Sequence, residues 1–131
     1  MKKIVLITPP SPYLLSDKAI VPLGILYVAS MLRQQGYEVE VLDLTGKKDY
    51  EKDVMNVATK GYDAFGITAT SPDFGQAVQI LDLIKQASPK NKVILGGPHA
   101  TVGPQTCMPY NFDKIVQGDG WTGAKMAIED E

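Results

Sequence analysis

Short apolar runs alternate with longer amphipathic stretches along this chain. Ile4-Val5-Leu6-Ile7, Ala64-Phe65-Gly66-Ile67 and Val93-Ile94-Leu95 are bounded by turn residues, the pattern of strands buried on both faces. Residues 37–44 begin by alternating and end apolar, which predicts an outer strand at a sheet edge. Residues 112–117 read as a fifth strand, closed by Gly118-Asp119-Gly120. Between the runs the apolar period lengthens. Residues 23–35 carry Leu23, Leu26, Tyr27 and Met31 on one stripe with Ile25, Val28, Ala29 and Leu32 beside it, which predicts a helix buried over much of its circumference. Pro22 suits its first turn and Gly36 stops it. Residues 49–60 place Tyr50, Val54, Val57 and Ala58 on one face before Gly61. Ser71-Pro72-Asp73 is a helix start, with Ser71 as cap, Pro72 at the first position and Asp73 complementing the dipole. That helix runs to about Ala87 with Phe74, Ala77, Val78, Leu81 and Ile84 inward.

Strands alternating with helices imply right-handed crossovers and a parallel sheet covered on both faces. Five such units predict a doubly wound, flavodoxin-like or Rossmann-like α/β domain with a five-stranded parallel sheet in the order 2-1-3-4-5. Residues 8–21, rich in proline, form a long loop, and residues 101–111 hold at most a short helical turn between 104 and 108. The domain spans 1–121, and 122–131 reads as the start of a C-terminal helix or a truncated linker.

Composition narrows the partners. Lys+Arg 13 against Asp+Glu 15 gives a formal net charge of −2 over 131 residues, and no basic cluster interleaves with aromatics, so nucleic acid is not an expected partner. A single cysteine, Cys107, excludes an internal disulfide framework and any Cys-rich zinc or iron–sulfur site made by this chain alone, and fits a cytosolic setting. Two lysines and four apolar residues before a proline-rich turn are too few for a signal peptide or a membrane span.

In this fold, ligands sit outside the carboxyl ends of the strands. Those ends are Thr8-Pro9-Pro10, 68–71, Gly96-Gly97-Pro98-His99 and 118–120, rich in small residues, proline and hydroxyls, with Asp119 the one charged residue among them. The two glycines before Pro98 serve equally as a simple turn or as bare backbone for a ligand to approach. Thr68, Thr70 and Ser71 serve equally as helix caps or ligand contacts. Asp43, near the end of the second strand, reads as a turn residue. An acidic pocket for a receiver-type cation, a flavin phosphate loop, Gly-x-Gly-x-x-Gly and a Walker loop are all missing after the first strand. Neither His99, the only histidine, nor Cys107 has a sequence-placed nucleophile or orienting partner, so catalysis by either is not expected.

Several motifs then converge. Thr8-Pro9-Pro10, Pro22-Leu23-Gly24-Ile25-Leu26-Tyr27-Val28-Ala29, Gly36-Tyr37-Glu38-Val39-Glu40-Val41-Leu42-Asp43, Gly66-Ile67-Thr68-Ala69-Thr70, Gly96-Gly97-Pro98-His99-Ala100-Thr101 and Gly118-Asp119-Gly120 resemble, in order and over about residues 3 to 121, the amino-terminal cobalamin-binding domain of cobalamin-dependent radical SAM enzymes. The resemblance implies a domain that carries cobalamin against its strand ends. Thr68, Ala69, Thr70 and Ser71 would line one wall of a channel for the nucleotide tail, Gly96, Gly97 and Pro98 the other, with His99 at the rim and Gly118 and Gly120 as borders. Pro9 and Pro10, with the loop through Tyr13 and Leu14, would face the corrin. A bulky residue at Gly97 would then abolish binding without unfolding the domain. Mutase-type domains have Asp-x-His-x-x-Gly after the first strand, and this chain has no histidine there. The resemblance therefore implies base-off cobalamin with no protein histidine on cobalt. Where the family often has a glutamate after the last Gly-x-Gly, this chain has Trp121. The three cysteines of Cys-x-x-x-Cys-x-x-Cys are absent, so the chain holds no iron–sulfur cluster and the radical reaction falls to a radical SAM domain in the same or another chain. The alternative is a flavodoxin-like interaction or regulatory domain without ligand.

Overall fold

The computed structural model describes residues 2–10, 23–45, 47, 49–70, 74–97, 100–101, 103–116 and 128. Five parallel strands, β1 (Lys3–Thr8), β2 (Glu38–Asp43), β3 (Ala64–Thr68), β4 (Val93–Gly96) and β5 (Lys114–Ile115), form one sheet in the order β2-β1-β3-β4-β5. The helices are α1 (Leu23–Gln34), α2 (Glu51–Ala58), α3 (Phe74–Ala87) and the short α4 (Pro104–Cys107). This is the flavodoxin-like topology that the alternation of apolar runs and amphipathic stretches predicts. None of the described helices is long and apolar enough to cross a membrane.

Two apolar layers follow from strand alternation. On one face Val5, Ile7, Phe65, Ile67, Val93 and Leu95 pack against α2, α3 and Cys107. On the other Ile4, Leu6, Val39, Ala64 and Ile94 pack against Ile25, Val28, Ala29 and Leu32 of α1, together with Val116 and Ile128. Helix α1 therefore buries the i, i+3, i+4, i+7 stripe from Ile25. The stripe expected to lead, Leu26 and Tyr27, is 44% and 62% exposed. A helix lying on one sheet face needs a single stripe, and the second apolar one turns outward. In α3 the buried residues are Ala77, Ile80, Leu81 and Ile84. Ile80 replaces the expected Val78, which is half-buried.

Helix α1 ends in a Schellman motif: Gly36 N donates to Arg33 O at 3.1 Å and Tyr37 N to Leu32 O at 3.1 Å. Tyr37 and Leu32 then share the α1-side core, which aims the chain straight into β2. Strand β5 is shorter than the expected 112–117. Asp113 is spent on anchoring: its N donates to Val93 O at 2.8 Å, and its carboxylate accepts Val93 N and Lys85 Nζ, each at 2.7 Å.

Candidate functional site

The register sets one row of residues across the carboxyl end of the sheet. Thr8 pairs with Asp43, and Thr68 pairs with Gly96. Ile7 pairs with Ile67, so one further step places Thr8 beside Thr68. Strand alternation points this row to the α1 face, because Leu6, Ile94 and Val116 of the same parity lie in the α1-side core. The row beneath, on the same face, is Val41-Leu6-Gly66-Ile94. Gly66 and Gly96 are buried and thus add no side chain to the layer over β3 and β4. The upper row reads carboxylate, hydroxyl, hydroxyl, bare backbone, across the top of an otherwise apolar face.

Each position has a local cause. Asp43 is engaged in its own turn: Thr45 N donates to its Oδ1 at 3.0 Å, as an Asp closing an edge strand does. Thr8 holds the exit of β1 by accepting Leu44 N on its carbonyl at 3.0 Å. Its Oγ1 is buried and, among the described residues, is the only buried side-chain nitrogen or oxygen without a hydrogen-bond partner. Pro9 is buried and Pro10 half-buried directly after it. Ala69 N donates to Gly96 O at 3.2 Å, while its methyl sits in the core on the α2/α3 side. Ala69 therefore offers backbone, not side chain, to the rim, and Thr70 beyond it is exposed.

Gly97 has φ +95°, a conformation that side chains disfavour. A Cβ built there would collide with Thr68 Oγ1 and lie 3.0 and 3.1 Å from Ala69 N and O. The glycine is thus required by the approach of the β3 and β4 exits to each other, which corrects the expectation that a bulky residue at Gly97 would spare the fold. The carbonyl of Gly97 accepts both the N and the hydroxyl of Thr101, at 3.2 and 3.1 Å, which starts the next helical turn.

The structure therefore brings Pro9, Pro10, Thr68, Ala69, Thr70, Gly96 and Gly97 to one end of the sheet. Ser71, Pro98, His99, Gly118 and Gly120 lie outside the described residues, as do Tyr13, Leu14 and Trp121. Thr8, read from the sequence as part of the Thr8-Pro9-Pro10 strand end without a contact role of its own, stands in one row with Thr68 and Gly96. Its signal in the sequence is a hydroxyl directly after the buried apolar run Ile4–Ile7. Cys107, the last residue of α4, is fully buried, and burial pushes its thiol above the usual range, the opposite of a nucleophile's environment. No group of three or more His, Cys, Asp or Glu that could hold a metal ion occurs among the described residues. Two clefts lie elsewhere, one lined by Asp49, Tyr50, Glu51, Gln79 and Asp82, the other by Lys3, Glu38, Glu40, Lys60 and Tyr62. The first opens beside α2 and α3, the second at the amino ends of the strands, away from the rim where this topology places ligands.

Residues 16–126 match the family model of the B12 binding domain. An uncharacterized methyltransferase of Pyrococcus horikoshii is 31% identical over 126 residues, covering 90% of this chain and 27% of the relative. The cytidylyl-2-hydroxyethylphosphonate methyltransferase of Streptomyces wedmorensis is 26% identical over 141 residues, covering 91% of this chain and 26% of its own. The chain thus spans about a quarter of these relatives' length. Among solved structures, the radical S-adenosylmethionine methyltransferase TsrM from Kitasatospora setae shares the fold with a TM-score of 0.79 at 21% identity, over 98% of this chain and 25% of that one.

Proposed function

The chain belongs to the B12-binding domain family, and from that premise we propose that it is a cobalamin-binding module holding the corrinoid against the carboxyl ends of β1, β3 and β4 for a methyl transfer completed elsewhere. The observation that carries this reading is the upper row of the α1 face. Its central residues Thr8, Thr68 and Gly96 are uncharged, Gly96 adds no side chain to it, and it contains a buried hydroxyl with no partner among the described residues. A broad, neutral ligand with many amide groups suits such a surface, because small residues permit close backbone approach and fixed hydroxyls orient what lies against them.

When bound, the corrinoid supplies a cobalt centre able to carry a methyl group. The chain's own part is to bind and orient. Thr68 and the Gly96-Gly97 backbone border the rim on its β3 and β4 side and Pro9 and Pro10 on its β1 side, and by the family resemblance Thr70, Ser71, Pro98, His99, Gly118 and Gly120 would also contact the cofactor. No protein histidine would sit on cobalt, since β1 runs into Thr8-Pro9-Pro10 rather than a histidine loop, and a nucleotide tail drawn into the rim would leave the cofactor base-off. One cysteine cannot supply the three thiolates of a radical SAM cluster, so that chemistry belongs to a further domain in the same or another chain. The likeness in fold to TsrM and the methyltransferase relatives support this assignment of reaction class.

Absorption titration of the purified chain with hydroxocobalamin and methylcobalamin, followed by gel filtration, tests the reading. Colour that elutes with the protein and shows a base-off spectrum is the expected result. Complete separation of colour from folded protein would sink it in favour of an interaction domain without ligand.

A further inference from the structure

Resting on the cobalamin reading, we propose that the Thr8 hydroxyl is a direct cofactor contact, donating a hydrogen bond to an oxygen acceptor of the bound corrinoid. Strand β1 lies between β2 and β3, and Thr8 is its last residue, facing α1 between Asp43 and Thr68. Its carbonyl is already taken by Leu44 N. Its Oγ1 is buried and uncommitted, whereas every other buried side-chain nitrogen or oxygen among the described residues has a partner. The row offers two other polar side chains, the Asp43 carboxylate, which accepts Thr45 N on Oδ1, and the Thr68 hydroxyl, and neither is paired with Thr8 Oγ1.

Folding alone gives no reason for threonine here. Valine has the same shape, favours strands and carries no hydroxyl to desolvate. A buried hydroxyl left unpaired costs on the order of 1–3 kcal/mol, and one matched in a complex returns a hydrogen bond to the ligand. Thr8 thus has the profile of a group that lowers the stability of the free chain and is satisfied only when the rim is filled. Two kinds of acceptor on a cobalamin present the same chemistry, the carboxamide oxygens of the corrin periphery and the phosphate of the nucleotide tail.

The test uses the full chain as wild type, Thr8→Val and Thr8→Ser, with thermal unfolding of the free protein and absorption titration against hydroxocobalamin and dicyanocobinamide. The latter keeps the carboxamides and lacks the nucleotide. Thr8→Val is expected to raise the unfolding midpoint of the free chain by about 2 °C or more. The same variant should weaken cobalamin binding roughly two- to tenfold, while Thr8→Ser stays within about twofold of wild type. Weakening with both corrinoids assigns the contact to a ring carboxamide; weakening with cobalamin alone assigns it to the tail phosphate. Unchanged affinity in Thr8→Val, or a lowered midpoint showing that the hydroxyl is paired within the chain, overturns the proposal while leaving the cobalamin reading intact. A wild-type chain that binds neither corrinoid overturns that reading itself, whatever Thr8→Val does to the midpoint.

Discussion

At the scale of single residues, Gly97 separates two reasons for a glycine. Gly36 and Gly97 share nearly the same φ, +94° and +95°, yet a Cβ on Gly36 would meet nothing within 4 Å while one on Gly97 would run into Thr68 Oγ1 and the Ala69 backbone. Gly36→Ala should therefore cost about 1 kcal/mol, the price of the left-handed conformation alone. Gly97→Ala adds displacement of the β3 exit and should cost about 2 kcal/mol or more; urea unfolding of the two variants side by side measures the difference, and equal costs would refute the crowding at Gly97. Tyr62 gives a second residue-level test. Burial, the hydrogen bond its hydroxyl donates to Glu40, and the charges of Glu40 and Glu38 push its phenol from 10.0 up to about 12. Below pH 10 folded and unfolded chains both keep this proton, so its contribution is fully present. Between about pH 10 and 12 the unfolded chain releases the proton while the folded chain retains it, and stability falls. Thermal unfolding midpoints should thus drop less over this range in Tyr62→Phe than in wild type, and parallel profiles would contradict the shift.

Elements are joined by a repeated device that the hydrophobic pattern does not reveal. Asp63 stands just before β3 and Asp113 just before β5, each after an aromatic residue. Asp63 N donates to Lys3 O and its carboxylate accepts Lys3 N, both at 2.7 Å. Asp113 repeats this with Val93 of β4, and also binds Lys85 on α3. Each aspartate thus pins the start of its strand to the neighbour, which sets the register that later brings Thr8, Thr68 and Gly96 into one row. Asp113→Ala leaves the N–H of fully buried Val93 without its acceptor and the largely buried Lys85 ammonium with Asn91 O alone. Its expected cost is about 1–3 kcal/mol. Asp63→Ala frees only the N–H of exposed Lys3, and should cost about 1 kcal/mol or less. Denaturant midpoints of the pair check this order, and the reverse order would show that the two anchors are not alike. Sequence made the strands and helices legible because their periods are local. Which α1 stripe turns inward, and what Asp113 does, depended on partners twenty or more residues away.

For the whole molecule, the same distinction governs the site. Small residues at the strand ends were readable one strand at a time, but the Thr8–Thr68–Gly96 row exists only once parallel pairing lines up β1, β3 and β4, and the orphan hydroxyl only once that row is covered. The chain's end makes the point from the other side. A boundary after residue 121 followed from the last glycine motif, whereas Ile128 is 5% exposed in the α1-side core with Ile4, Leu6, Ile94 and Val116. Its carbonyl also accepts Lys92 Nζ at 3.0 Å, at the entry to β4. We propose that the folding unit therefore includes Ile128. Removing residues 122–131 strips that face of a buried isoleucine, and Ile128→Ala removes most of its side chain at constant length. Each should destabilise by about 2–4 kcal/mol, the usual result of deleting a large apolar group from a packed core. Because Ile128 borders the same sheet face as Thr8 and Gly66, the loss should carry through to the rim, and cobalamin affinity should fall in the truncated chain even at temperatures where it stays folded. If truncation at 121 changes neither the unfolding midpoint nor the affinity, residues 122–131 are a linker, and the α1 face is closed by α1 alone.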